Sequence, residues 1–232
     1  MNSIDRALNV SIAVAALAMA GVVVRREMAP SIPTIPGANL PPRFVSTWKD
    51  LLPHAIPLGD SSGAVKVIEF ADFECPFCRR FDSTMHVVVA RYPGQVSRYF
   101  VHFPLPTLHR FALPAARAAE CAGRLGRFTA MHDVLFSKQD SLGLKSWASY
   151  ARDAGVADTA AFGDCIGLDG KLVSVEDGIK TGTGIKVEAT PTVIINGWRF
   201  PHPPSDSVLN ETIQALLAGK RPPAADPAAA TK

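Results

Sequence analysis

A Cys-x-x-Cys pair lies where a predicted strand becomes a predicted helix. The strand is VKVIEF, residues 65–70, and its β-branched and aromatic side chains fall on both faces, which is typical of a central strand. After the cysteines, apolar side chains recur at spacings of three and four, as on one face of a helix: Phe77, Phe81, Met85, Val88 and Tyr92. Pro93-Gly94 ends this pattern. The sequence therefore predicts a strand-to-helix turn that carries two thiols.

The rest of the chain predicts an α/β fold with a group of helices inserted into it. QVSRYFVHF, residues 95–103, restores alternation and predicts a second strand, which makes a right-handed β-α-β unit. Helix-forming stretches dominate residues 114–178. PTVIING, residues 191–197, predicts a strand that ends in an Asn-Gly hairpin, and residues 206–219 predict a final helix.

An uncharged apolar segment, residues 7–24, lies near the N-terminus between Arg6 and the pair Arg25-Arg26. As a helix it would be about 27 Å long, close to the roughly 30 Å hydrocarbon core of a membrane. Ala18-Met19-Ala20 also fits a signal-peptidase site. We interpret residues 1–29 as a hydrophobic signal-anchor helix. A cleaved signal peptide and a buried helix of a cytosolic chain are the alternatives.

The domain limits follow from the distribution of proline and of apolar residues. Prolines are frequent between residues 30 and 57, where apolar periodicity is weak, and this predicts a stiff, extended linker. The folded domain is predicted for residues 58–219, with a helical insert at about residues 107–184. Residues 220–232 lack periodicity and predict a disordered tail.

Composition excludes some classes of function. The chain of 232 residues is 47% hydrophobic and 19% charged, which suffices for a sizeable core and excludes a disordered protein. Its net charge is +3 and its basic residues are scattered, so no nucleic-acid partner is predicted. His102, His109 and His132 fall in or near apolar segments, and we interpret them as packing or surface residues.

Cys75 and Cys78 have three possible roles. A zinc site would need two further ligands, and the remaining cysteines are single and far apart, so we predict no metal. A structural disulfide between Cys75 and Cys78 would close almost no loop and add little stability. Thiol exchange explains the placement better. Pro76 fits the first helical position, and the helix N-terminus then favours a thiolate on Cys75.

Together with two later motifs, this turn resembles the DsbA-like branch of the thioredoxin superfamily. The similar stretches are VIEFADFECPFCRRF, the AARAAECA and RFTAMHDVLF helices, and ATPTVIING, over roughly residues 58–218. The resemblance implies a thioredoxin fold with an inserted helical subdomain. It also implies thiol–disulfide exchange with exported proteins, without a cofactor.

The resemblance assigns roles to individual residues. Cys75 matches the exposed nucleophile, and Cys78 matches the resolving cysteine. Thr190-Pro191 matches a cis-proline pair whose backbone binds an extended substrate, and a proline that merely starts an edge strand is the alternative. The predicted substrate-binding residues are Pro76, Phe77, Thr190 and Pro191.

Acidic and aromatic neighbours of the cysteines also match positions of the family. Glu69 corresponds to a buried acid, whose raised pKa would make it a proton acceptor for Cys78; a carboxylate that reaches solvent is the alternative. Asp72 and Glu74 are interpreted as exposed. Phe77 stands where the strong oxidants of this branch carry histidine. We therefore expect a higher Cys75 pKa and a less oxidising disulfide than in those relatives.

Cys121 and Cys165 lie in two predicted helices of the insert. Similar paired cysteines occur in some members of the family, so the resemblance implies a structural disulfide between them. In the chain-entropy treatment, closing a loop of about 45 residues stabilises a protein by roughly 4 kcal/mol. Two buried free thiols are the alternative. A disulfide here would fit an oxidising compartment.

These observations predict a membrane-anchored thiol–disulfide oxidoreductase whose domain lies outside the cytoplasm. Its partners would be substrate proteins with thiols or disulfides and a membrane redox partner. A secreted, cleaved form is the alternative location, and a reductase or isomerase is the alternative direction. A Cu(I)-binding metallochaperone that uses the same cysteines, or a binding module on the same fold, also stays open.

Overall fold

The computed structural model describes residues 40–167 and 172–223. The predicted hydrophobic segment, the first part of the predicted linker and the tail from residue 224 lie outside these residues. No helix in the described part of the chain is long and apolar enough to cross a membrane.

The described residues form a sheet of six strands: β1 (Arg43–Phe44), β2 (Ile56–Leu58), β3 (Val65–Ala71), β4 (Val96–His102), β5 (Thr192–Ile195) and β6 (Trp198–Arg199). Their order across the sheet is β1-β6-β5-β3-β4-β2. β3 is parallel to β4 and antiparallel to β5. All β3 residues except Lys66 are buried. The predicted central strand is therefore confirmed, and it ends just before the turn that carries the cysteines.

Seven α-helices occur in the described residues: α1 (Pro76–Arg91), α2 (Ala112–Arg124), α3 (Phe128–Ser137), α4 (Trp147–Asp153), α5 (Thr159–Gly167), α6 (Val173–Gly184) and α7 (Asp206–Leu217). Two short 3₁₀ helices span Trp48–His54 and Gln139–Ser141. α1 connects the parallel strands β3 and β4, as predicted for the β-α-β unit. Helices α2 to α6 are inserted between β4 and β5, which confirms the predicted architecture.

Three apolar clusters determine where the cysteines lie. α1 and α7 pack against one face of β3 and β5. The first 3₁₀ helix and the segment after α6 pack against the other face. The third cluster belongs mainly to the helical insert, and it includes Phe73, Cys75 and Cys78. The cysteines therefore lie where the end of the sheet meets the insert.

The prediction of an extended linker over residues 30–57 is wrong for its described part. β1 pairs with β6 at one edge of the sheet, and β2 pairs with β4 at the other. Leu51, between these strands, is only 4% exposed. The prolines misled the prediction because Pro53 lies in a 3₁₀ helix and Pro57 in an edge strand, positions that tolerate a missing N–H. The folded region thus includes Arg43, well before the predicted start at residue 58.

The predicted Asn-Gly hairpin is confirmed between β5 and β6. Asn196 has a φ of 43° and Gly197 a φ of 90°, the left-handed backbone that tight hairpins require. The Asn196 side chain accepts a hydrogen bond of 2.7 Å from the Lys66 amide, which attaches the hairpin to β3. A Cβ on Gly197 would lie 2.5 Å from the ring of Trp48, so the close approach also requires glycine.

Candidate active site

Cys75 occupies the position directly before the first residue of α1. Its backbone is extended, with φ −73° and ψ 119°, and Pro76 begins the helix. The amides of Phe77 and Cys78 donate hydrogen bonds to the Cys75 sulfur. On the other side, the thiol donates to the carbonyl oxygen of Thr190 at 3.3 Å. The sulfur therefore lies between a helix N-terminus and the loop that precedes β5.

The pKa of the Cys75 thiol is lowered from 9.0 to about 6. The largest cause is a hydrogen bond from the Cys78 thiol, and hydrogen bonds with Thr190 and the two helix amides add to it. Burial opposes the lowering, because it penalises the charged form. At neutral pH the nucleophilic thiolate therefore predominates. The sequence predicted the contribution of the helix but not that of Cys78.

The prediction that Cys75 is exposed is wrong, since only 3% of its surface is accessible. The Thr190 carbonyl and the apolar cluster of the insert cover the sulfur. Phe77, two residues later, is 55% exposed. A substrate therefore meets the first turn of α1 before it reaches the sulfur, and it has to displace the Thr190 contact to react.

Cys78 lies on the first turn of α1 and is 0% exposed. Burial raises its pKa well above 9.0, and the hydrogen bond to Cys75 and the charge of Glu69 raise it further. The pair consequently consists of one thiolate and one neutral thiol that donates to it. This division matches the roles that the resemblance implied for an attacking and a resolving cysteine.

Glu69 is buried within β3, with an exposed fraction of 4%. Burial raises the pKa of its carboxyl group to about 8, against the lowering effect of the nearby Arg98 charge. Within the described residues its Oε1 has no hydrogen-bond partner. Glu69 and the two cysteines affect one another electrostatically. A carboxyl group of this pKa is protonated at neutral pH and can exchange a proton with a nearby sulfur.

The four predicted substrate-binding residues divide into two pairs. Pro76 and Phe77 are exposed at the start of α1, whereas Thr190 and Pro191 are buried next to the sulfur. The Thr190-Pro191 peptide bond is cis, as the resemblance implied. The Thr192 hydroxyl donates to the carbonyl oxygen of Ala189 at 2.8 Å and closes the turn around this bond.

Gln139, in the second 3₁₀ helix, contacts the active-site turn although the sequence analysis did not identify it. Its Nε2 donates to the carbonyl oxygens of Phe73 at 2.8 Å and Cys75 at 3.0 Å. Both bonds are buried. Because Gln139 is 64 residues from Cys75, no local pattern could have identified it.

The expectation that Asp72 is exposed is wrong, since its exposed fraction is 1%. One carboxylate oxygen accepts from the Glu74 amide at 2.8 Å. The other accepts from the Leu105 amide at 2.9 Å and lies 2.8 Å from Nδ1 of His109. An aspartate that caps the amide two residues later is a common turn feature, and this spacing could have identified Asp72.

Cys121 and Cys165 form a disulfide between α2 and α5, with their Cα atoms 5.7 Å apart. The pairing implied by the resemblance is therefore present, and the alternative of two free thiols is not. Cys75 and Cys78 are both free.

Comparison with known proteins gives one family and several relatives. A family model described as Thioredoxin matches residues 52–215. The Na(+)/H(+) antiporter NhaA 1 of Mycolicibacterium gilvum is 34% identical over 164 residues, which are 70% of this chain and 26% of the antiporter. The chain thus spans about a quarter of the length of the antiporters that it matches. The probable disulfide bond formation protein D of Bacillus cereus is 43% identical over 53 residues, 20% of this chain and 23% of that protein.

A solved structure agrees with these matches. The crystal structure of Wolbachia pipientis alpha-DsbA1 has a TM-score of 0.60 and 20% sequence identity, and the match covers 72% of this chain and 93% of that chain. At this identity the likeness shows the fold. It confirms the predicted thioredoxin fold with an inserted helical subdomain.

Proposed function

Because the chain belongs to the thioredoxin family as a DsbA-like member, we propose that it exchanges disulfides with substrate proteins through Cys75 and Cys78. The observation that carries this proposal is the Cys75 sulfur at the N-terminus of α1, with a pKa of about 6 and a neutral Cys78 thiol beside it. This division of labour supplies one nucleophile and one resolving thiol. The relative from Bacillus cereus, by its name a probable disulfide bond formation protein, supports the same chemistry.

The first step forms a mixed disulfide. A substrate thiolate attacks the Cys75 sulfur of the oxidised enzyme, the bond to Cys78 breaks, and Cys78 leaves with the electron pair. Burial makes the Cys78 thiolate unfavourable, so it takes up a proton. Glu69 is the proton donor that we propose, since its carboxyl group is buried and protonated at neutral pH.

The second step releases the oxidised substrate. A second substrate thiolate attacks the substrate sulfur of the mixed disulfide, and Cys75 leaves as a thiolate stabilised by the Cys78 thiol and the helix amides. Two electrons have then passed to the enzyme, and two substrate thiols have become one disulfide. A membrane redox partner accepts the electrons and restores the Cys75–Cys78 disulfide.

The low pKa of Cys75 favours the oxidising direction. A thiolate stabilised at neutral pH makes the reduced enzyme more stable and therefore the disulfide more reactive. A pKa of about 6 lies between those of thioredoxin, about 7, and DsbA, about 3.5. We expect a reduction potential between theirs, roughly −270 and −120 mV. The same steps in reverse would reduce or isomerise a disulfide.

The proposed location is outside the cytoplasm, with residues 1–29 as a membrane anchor. The Cys121–Cys165 disulfide supports an oxidising compartment, since cytosolic thiols are kept reduced.

Covalent trapping tests the exchange function. In Cys78→Ser the nucleophile remains but the resolving thiol is absent, so mixed disulfides with cellular proteins should accumulate on non-reducing gels. Cys75→Ser is the matched control and should trap nothing. Equal trapping by both variants, or none by Cys78→Ser, would contradict the proposal.

A further inference from the structure

A cluster of carboxylate and imidazole groups lies between α1 and α3, outside the redox site. α1 contributes Asp82 and His86, one helical turn apart, and α3 contributes His132 and Asp133. Donor atoms of Asp82, His132 and Asp133 all lie within 4.8 Å of one another. Nε2 of His86 lies 3.4 Å from Asp82 Oδ2 and 3.7 Å from Asp133 Oδ1. Two helices thus direct four potential metal ligands toward one region.

His132 lies at the buried end of this cluster, with 0% exposure. Its Nδ1 is 2.9 Å from Asp133 Oδ1, and only a protonated Nδ1 can donate to that carboxylate. In this tautomer Nε2 has a free lone pair. Nε2 faces Asp82 Oδ1 at 4.0 Å, and it has no hydrogen-bond partner among the residues described. A cation between Nε2 and the Asp82 carboxylate would satisfy both acceptors, which otherwise oppose each other.

We propose that Asp82, His132 and Asp133, with His86 at the solvent side, bind a zinc(II) ion. Imidazole and carboxylate groups are ordinary zinc ligands, whereas magnesium and calcium prefer oxygen alone. Asp133 also accepts from the far ring nitrogen of His132, the contact that commonly orients a zinc-ligating histidine.

The distances and the access to the cluster fit this ion. Tetrahedral zinc with bonds of about 2.1 Å holds its ligand atoms about 3.4 Å apart. The separations of 3.4, 3.7 and 4.0 Å in the cluster therefore need to shorten by only a few tenths of an ångström. A cavity of about 650 Å³ is lined by Asp82, His86 and Asp133, and it provides an entry path for the ion.

Arg98 is the one group in contact with the cluster that opposes a cation. Its guanidinium donates to Asp82 Oδ1 at 2.6 Å, and both side chains are nearly buried. Two carboxylates and one guanidinium still leave a net charge of −1 when the imidazoles are neutral. Arg98 therefore weakens the binding without preventing it, and it acts as an outer partner that orients the ligating carboxylate.

Zinc at this position would join the redox helix α1 to helix α3 of the insert. Pro76 and Arg79, next to Cys75, line the same cavity. The site does not use the sulfurs of Cys75 and Cys78, so it can be tested whether or not the exchange function holds.

The test measures zinc binding without the redox thiols. An untagged full-length Cys75→Ser/Cys78→Ser protein is freed of metal and titrated with Zn²⁺ against a chromophoric chelator, and its thermal unfolding is followed with and without Zn²⁺. We expect one Zn²⁺ per chain and a higher unfolding temperature, with no comparable effect of Mg²⁺ or Ca²⁺. Absence of zinc binding, or equal stabilisation by Mg²⁺, would overturn the proposal.

Variants locate the bound ion. Asp133→Asn and His86→Gln change partly exposed side chains that the fold should tolerate, and each should weaken zinc binding at least about tenfold. His54→Gln is the matched control, since His54 forms a similar contact with Asp177 on another surface. It should leave the affinity unchanged. Unaltered affinity in Asp133→Asn and His86→Gln would place the ion elsewhere and refute the site.

Discussion

Gln139 donates a hydrogen bond of 3.0 Å to the carbonyl oxygen of Cys75. The same side-chain nitrogen bonds the Phe73 carbonyl, and the Arg79 amide bonds the Cys75 carbonyl at 3.2 Å as α1 begins. A residue that lies between α3 and α4 of the insert thus fixes the backbone that carries the reactive sulfur. The insert is in this way part of the active-site support.

Replacing Gln139 by methionine should loosen this support. Methionine has a similar volume but no N–H group, so the buried Phe73 carbonyl loses the donor that Gln139 supplies, at a cost of about 1–3 kcal/mol. Urea unfolding of the reduced protein measures the loss. Gln214→Met, at an exposed position of α7, is the control and should cost little. Equal stability of both variants would show that Gln139 does not support the turn.

Removing the Cys78 thiol should raise the pKa of Cys75, because the largest cause of its lowering is the hydrogen bond from Cys78. In Cys78→Ala we expect the thiolate absorbance to titrate at least about one unit above the value of the Cys78→Ser protein, whose hydroxyl can still donate. Identical titration midpoints would assign the lowering to the helix amides instead.

Introducing histidine between the cysteines should make the disulfide more oxidising. Phe77 is 55% exposed, so an imidazolium at this position stays hydrated while it stabilises the Cys75 thiolate. Phe77→His should lower the Cys75 pKa by about one unit and raise the reduction potential measured against glutathione. Phe77→Leu keeps the apolar character and should leave both quantities near their original values. A potential that does not rise in Phe77→His would contradict the prediction.

Glu69 should make the protein less stable as the pH rises. The pKa of Glu69 is raised from 4.5 to about 8 in the folded state, so the folded protein binds more protons than the unfolded one between these values. The free energy of unfolding should therefore fall between about pH 4.5 and pH 8, by a total on the order of 5 kcal/mol.

Glu69→Gln should remove this fall, because the amide does not ionise. The measurement is urea unfolding at several pH values in a Cys75→Ser/Cys78→Ser background, where no redox thiol titrates. Glu211→Gln, an exposed change on α7, serves as the control and should keep the original pH dependence. A Glu69→Gln protein with the same pH dependence as its parent would show that the carboxyl group is not the cause.

Local patterns in the sequence predicted the strand, the cysteine turn and the helix that follows. Alternation, helical periodicity and a proline at the first helical position act over a few residues, so they can be recognised without the fold. The same holds for the Asn196-Gly197 hairpin. The prolines of the predicted linker were misleading because an edge strand and a 3₁₀ helix accept proline as readily as an extended linker does.

The amino-acid sequence by itself determined which residues carry the chemistry: two thiols at a helix N-terminus and an acidic residue on the preceding strand. Only the tertiary structure decided their environment. It covers Cys75 with the Thr190 loop, brings Gln139 to the Cys75 carbonyl, and sets Asp82 beside His132. The physical reason is that pKa values, burial and ligand geometry depend on groups far apart in the chain, and chain folding alone brings those groups together.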